Sequence, residues 1–389
     1  MNPPTVPHGP KLAARLHPRA SLMTEESAEV GVLFDITAPS LGSSNPTNLV
    51  LVAVGKPPQA QAKTLSDGVA ALQRGAGPQE IQLVGLASAF GGHGRGVHTA
   101  GDLAAGLALA ESIVDVGADE GRILLLINAD HVGNLVHLDA VATSLGERRL
   151  PVDLVCTDEN ADLGLLTAVA GITGGELLHV GREGGAEAFL ARVDALQRQP
   201  VRNLRLVLNH AEQIQPRLVF RLVPRPALLQ VIDPNEHRGP LVIPMVPAEP
   251  GISLSQYFVS VTVPRPRTGD YQVFDARLIG GKGDQVFGHE QLRHRSTLNP
   301  EEALMVEAAA IAAQEKAEAI AWVEEMAQAA NQGDVRRVAN LLERVVLRAA
   351  AFGRDDLAAL YSDIRRRFLR SGVFGRLDAN ALRKTVKTL

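Results

Sequence analysis

The spacing of apolar and polar positions divides the chain into stretches with different periods. Residues 28–38 (AEVGVLFDITA) alternate, which predicts a half-exposed strand with Val30, Val32, Phe34 and Ile36 on one face. From 48 to about 196 short apolar runs take turns with helical spacing. Strands are expected over 49–53, 81–87, 123–127, 152–156 and 176–180. Helices are expected over 60–73, 102–116, 135–145, 162–172 and 186–197, with Gly174-Gly175 stopping the fourth. The central runs are apolar throughout, as a parallel sheet covered on both faces requires.

From 201 to about 295 the helical period disappears. Strand-like runs over 204–208, 218–223, 228–232, 256–263 and 271–278 are separated by Pro224, Pro226, Pro234-Asn235, Pro264, Pro266 and Thr268-Gly269-Asp270. Short strands spaced by turn residues read as an antiparallel sandwich. The isolated strand near residue 30 finds its partner there, which would insert the α/β unit into the sandwich. From 299 the pattern is helical. Asn299-Pro300-Glu301-Glu302 is a start signal: an Asn cap, a first-turn proline and acids at the positive helix end. One helix is expected over 301–330, a break at Asn331-Gln332-Gly333-Asp334, and further helices to about 351 and over 355–370.

The expected fold class is α/β: a doubly wound, mostly parallel sheet, joined to an antiparallel β-sandwich and a C-terminal α-helical hairpin. The expected divisions are a flexible tail over 1–11, sandwich strands over 12–47, the α/β domain over 48–200, the sandwich over 201–298 and the helical tail over 299–389.

Composition narrows the function. The 389 residues are 46% hydrophobic and 21% charged, with a net charge of −4, which gives no electrostatic footprint for nucleic acid. Arg365-Arg366-Arg367, with Arg370, reads as a solvated helix face. The lone Cys156 excludes an intramolecular disulfide and a cysteine zinc cluster, and its apolar run makes it a core residue. The N-terminal segment carries no apolar h-region, and no run of about eighteen apolar residues occurs. The expectation is a soluble, cytoplasmic protein that engages neither membrane nor nucleic acid.

Candidate chemistry is sparse. The first strand of the α/β region ends in Ala53-Val54-Gly55-Lys56-Pro57-Pro58, with no nucleophile, carboxylate or hydroxyl. Gly91-Gly92-His93-Gly94-Arg95-Gly96 lacks the phosphate-loop pattern and reads as a surface loop. Asp130, His131, His137 and Asp139 have metal-ligand chemistry, but a six-residue separation puts the histidines on different faces of an ideal helix. The acids of 158–162 open a helix and serve as caps. No G-x-S-x-G elbow is present, and nothing joins nucleophile, base and oxyanion donors.

As a set, several segments resemble the von Willebrand factor type A (VWA) family. They are residues 48–53 as the first strand, 81–90 as the second, Leu103-Ala104-Ala105-Gly106-Leu107-Ala108-Leu109-Ala110 as the G-L helix, 122–129 (RILLLINA) as the third strand, and 151–156 followed by 165–175 (LLTAVAGITGG). The resemblance covers about 150 residues. The surrounding order, a strand before and a sandwich and Ala-rich helices after, is similar to bacterial proteins of that family.

The resemblance implies a divalent ion at the C-terminal edge of the sheet, held by a D-x-S-x-S motif, a threonine before the G-L helix and an aspartate after the third strand. Hard oxygen ligands of this kind suit Mg²⁺ or Ca²⁺. Here Ala53, Gly55 and Pro57 stand at the D-x-S-x-S positions, Asp102 at the threonine (Thr99 is three residues before it) and Asn128 at the aspartate, with Asp130 two residues on. Lys56 adds a charge that repels a cation. The expectation is a non-enzymatic scaffold without a metal or other cofactor. Its partner surface would comprise Gly55, Lys56, Asp102, Asn128 and Asp130, at the edge where open α/β sheets bind ligands. The resemblance implies a protein partner, an AAA+ ATPase or a larger cytoplasmic assembly. Two alternatives stand beside it: a rearranged Mg²⁺ or Ca²⁺ site on Asp102, Asn128 and Asp130, and a doubly wound hydrolase or nucleotide-binding enzyme.

Overall fold

A computed structural model of the chain describes residues 10–17, 20–22, 27–37, 48–54, 63–65, 67–68, 81–83, 102–113, 121–127, 135–148, 150–197, 204–223, 226–233, 239–245, 254–264, 269–280, 284–299, 301 and 307–386. The α/β unit is a five-stranded sheet of β4 (Asn48–Val54), β5 (Ile81–Leu83), β6 (Gly121–Ile127), β7 (Val152–Cys156) and β8 (Leu177–His179). The order is β5-β4-β6-β7-β8 and each pairing is parallel. Apolar side chains alternate between two cores. Val50, Val52, Ile123, Leu125, Val152 and Leu154 face α1 (Leu103–Ile113), α2 (Leu135–Glu147) and α3 (Leu163–Thr173). Leu51, Leu124, Leu126 and Val155 face Leu65 and the Phe189, Val193 and Leu196 row of α4 (Gly185–Gln197). Helices on both faces make the unit doubly wound and explain the unbroken apolar runs.

Two antiparallel-rich sheets form the second unit. One runs β1-β3-β13-β10-β11, comprising β1 (Lys11–His17), β3 (Ser27–Thr37), β10 (Gln215–Val223), β11 (Ala227–Val231) and β13 (Leu254–Pro264). The other runs β12-β9-β14-β15-β2, comprising β2 (Ala20–Leu22), β9 (Arg205–Asn209), β12 (Leu241–Pro244), β14 (Gly269–Gly280) and β15 (Gln285–Thr297). Phe34, Tyr257 and Val259 from the first meet Leu206, Leu208, Phe274 and Leu278 from the second. Because β3 pairs with β13 along its whole length, the α/β unit is an excursion between two strands of one sheet.

The tail folds back on this sandwich. Four helices, α5 (Ala308–Asn331), α6 (Val335–Ala351), α7 (Asp355–Ser371) and α8 (Arg376–Val386), replace the simpler hairpin read from the sequence. Ala313, Ala317, Ile320 and Val323 of α5 cover Leu33, Phe220, Leu222 and Phe258 on the outer sandwich face. That cover corrects the half-exposed reading of β3: Leu33, on the supposed solvent face, is as buried as Phe34. Its small alanines let α5 lie close to the sheet.

The expected single helix over 301–330 is also corrected. Asn299 Oδ1 accepts the Glu301 amide at 3.0 Å, as a cap should. Glu307 is extended (φ −94°, ψ 123°), and the long helix starts after it. The expected tail over 1–11 ends earlier, since Lys11 already opens β1 and pairs with Thr37. Trp322 is covered by α6: the Arg348 guanidinium lies 5.4 Å from its ring centroid, itself bonded to Glu315 and Glu318.

Candidate functional site

The C-terminal edge of the parallel sheet has its switch point between β4 and β6, since the chain leaves β4 towards β5 on one side and returns to β6 on the other. Val54 pairs with Ile127 at this point. Gly55 and Asn128 follow those two residues in sequence. Gly55, Lys56, Asn128 and Asp130 all lie outside the described residues, as do Thr99, His131 and the 91–96 glycine run. Three facts at this edge can be placed. Ala53 is fully buried inside β4, beside Leu126 of β6. Asp102 is half-buried and caps α1, its Oδ1 accepting the Ala105 amide at 2.8 Å while its carbonyl accepts from Gly106. Thr157 closes the end of β6: its amide and its hydroxyl both donate to Ile127 O, at 3.0 and 3.3 Å.

The neighbouring loop is held from outside the unit. Asp158 Oδ1 accepts the Asn160 amide, and Asp162 Oδ1 caps α3 through the Leu165 amide at 3.1 Å. These acids are caps, as their position ahead of a helix indicates. Asn380 of α8 donates to Ala161 O at 3.0 Å, and Arg383 beside it makes a two-point pair with Glu324 of α5 at 2.8 and 2.7 Å. The helical tail thus buttresses the sheet edge. No sequence period marks this long-range contact.

The opposite edge holds the buried charge. Asp153 Oδ2 accepts from Arg122 Nε at 2.6 Å. Its Oδ1 accepts from Arg122 Nη2, Arg192 Nη2 and the Glu176 amide at 3.2, 3.0 and 2.8 Å. Burial alone would push this carboxyl up. The charges and hydrogen bonds of Arg122 and Arg192 outweigh it and hold Asp153 at about 2. Arg192 Nη2 also lies 3.0 Å from Glu176 Oε2, close enough for charge attraction though off the hydrogen-bonding line. Glu176 Oε1 is 3.8 Å from Arg221 Nη2 of β10, so the network reaches the sandwich. Sequence reading missed this network because Glu176, Arg122 and Arg192 lie 23, 31 and 39 residues from Asp153.

Two cavities flank it. One of about 360 Å³ lies between the ends of α2 and α3 and strands β9 to β12, with Arg122 and Arg205 in its walls. A second of about 240 Å³ lies where α3, β8, the sandwich, α5 and α8 meet, and includes His179, Arg221 and Arg383. Among the described residues no group of three or more His, Cys, Asp or Glu is placed to hold a metal ion. Nor is any helix among them long and apolar enough to cross a membrane.

No family model matches the sequence, and no curated protein matches it. Solved structures do match in shape. A von Willebrand factor type A protein from Catenulispora acidiphila superposes with a TM-score of 0.67 at 15% identity, over 92% of this chain and 91% of that one. The ArnB paralog VWA2 from Sulfolobus acidocaldarius superposes with a TM-score of 0.57 at 10% identity, over 97% of this chain and 98% of that one. The chain therefore has a VWA-like fold in which the α/β unit, the sandwich and the helical end together match single known architectures.

Proposed function

We propose that the chain is a non-enzymatic binding and scaffold protein, and that the C-terminal edge of its parallel sheet engages a protein partner without a divalent ion. The VWA-like fold supports the binding role. The observation that carries the metal-free reading is Ala53: a fully buried alanine stands where the family's first ligand carboxylate would stand. Methyl groups offer a cation nothing, and the Asp102 carboxylate is engaged as a helix cap. In the sequence Lys56 follows three residues after Ala53, and its positive charge would repel a cation. A cytoplasmic assembly or an AAA+ ATPase is the partner class implied by the family resemblance.

Recovery of partners by wild type and by a Lys56→Glu/Asp130→Lys double variant, each with and without EDTA, tests this. The expected result is recovery insensitive to the chelator and reduced in the double variant. Recovery lost on chelation would restore the cation-dependent reading. Recovery unchanged in the double variant would remove this edge from the partner surface.

A further inference from the structure

The larger cavity is separate from the sheet edge, and its walls are fixed by glycines. A Cβ on Gly171 would stand 3.1 Å from Leu229 O. One on Gly174, which adopts φ +77°, would stand 2.3 Å from Pro244 Cβ. The end of α3 therefore sits directly on β11 and β12, and the gap beside it is a preformed space of about 360 Å³. That falls within the range of about 300–1,000 Å³ typical of small-molecule sites.

Its lining is amphipathic. Ile172, Leu229, Val242, Pro244 and Met245 form apolar walls, and Ile172 and Val242 are left 45% and 42% exposed. Against these walls stand two buried guanidiniums. Arg122 spends Nε and Nη2 on Asp153, a carboxylate it shares with Arg192, and also lines the cavity. Arg205 places Nη2 2.5 Å from Asp284 Oδ2, whose side chain is 58% exposed, and also lines the cavity. A guanidinium has five donors and a fork that matches a carboxylate, so each of these can hold its acid and still offer N–H groups to an anion. Negative potential limits the charge of the occupant: Glu147 and the C-terminal ends of α2 and α3 also face this space. A single negative charge fits these surroundings better than a dianion.

We infer that this inter-unit cavity binds a small aliphatic monocarboxylate, its head on Arg122 and Arg205 and its chain along Ile172, Leu229 and Val242. Titration calorimetry on the full chain tests it, using hexanoate and octanoate against 1-hexanol, 1-octanol and octyl phosphate. One acid per chain should bind, about tenfold or more tightly than the alcohol of equal length. Arg205→Gln should weaken the acid about tenfold and leave the alcohol unchanged. Val242→Trp, which fills the mouth from an exposed strand position, should abolish binding of both.

The acid–alcohol comparison on wild type needs no variant, so a folding defect in either substitution leaves the inference testable. Absence of acid binding, equal binding of the alcohol, tighter binding of octyl phosphate, or full affinity in both variants would overturn it. None of these outcomes bears on the sheet-edge reading, which is tested by partner recovery.

Discussion

The two edges of the parallel sheet differ in where they keep their charge. At the C-terminal edge β4 ends in buried Ala53 and Val54, and the described acid Asp102 is a helix cap. At the N-terminal edge Asp153 holds Arg122 and Arg192, and Glu176 extends the network towards Arg221 in the sandwich. Among the described residues at the first edge, the acids Asp102 and Asp162 serve as helix caps. The second is a joint, where ionic contacts and close glycine approaches fix one unit on the other. In an open α/β sheet ligands favour the carboxyl end. Among the described residues it is the other end that gathers the buried charges Asp153, Glu176, Arg122 and Arg192.

If the N-terminal edge is a joint, breaking it should cost most. Asp153→Asn leaves Arg122 and Arg192 without the carboxylate they share. Chemical denaturation should show a loss of about 3–5 kcal/mol, as for one partner removed from a buried ion pair. Gly175→Ala comes next. Its Cβ would meet Val152 O at 1.9 Å, a backbone atom that cannot swing aside, so about 3 kcal/mol is expected. Gly184→Ala is the control: it meets nothing within 4 Å and should shift stability by less than about 0.5 kcal/mol.

Acid probes the same joint without a mutation. The Asp153 carboxyl is held below its ordinary value, at about 2. Its contribution, about 2 kcal/mol, is therefore full above pH ~4 and disappears as pH falls towards 2. Stability measured across that window should fall in wild type and fall less steeply in Asp153→Asn. A smaller effect than that of the joint belongs to the C-terminal edge. Asp102→Ala removes only a helix cap and should cost about 1 kcal/mol. A loss as large as that of Asp153→Asn would erase the contrast between the edges.

Much of this is legible in the sequence, for physical reasons. Residues 49–53 and 123–127 are apolar on both faces because helices cover both sides of the sheet, and a parallel sheet leaves that mark. Gly174-Gly175 was readable as a stop, though not the reason for two glycines. The first supplies a left-handed end against Pro244, and the second clears Val152 O. β15 was missed because the buried positions at its end alternate through Leu292, His294 and Ser296, so polar side chains fill slots that a hydrophobic pattern would mark. α8 was missed for a similar reason: its inward positions are Ala379, Asn380 and Leu382, and the asparagine reaches Ala161 instead of a core. At the candidate edge the family resemblance aligns Ala53, Gly55 and Pro57 with the ligand motif, and of these Ala53 alone falls among the described residues. The ionic joint was not readable, because residues far apart in sequence meet only once the sheet is ordered.

The claim at the centre of this account is that the carboxyl edge works without a cation. Calorimetric titration of the full chain with Mg²⁺, Ca²⁺ and Mn²⁺ addresses it most directly. The account predicts no stoichiometric binding heat for any of the three. Micromolar, one-to-one binding of any of them, abolished by Asp102→Ala, would contradict it.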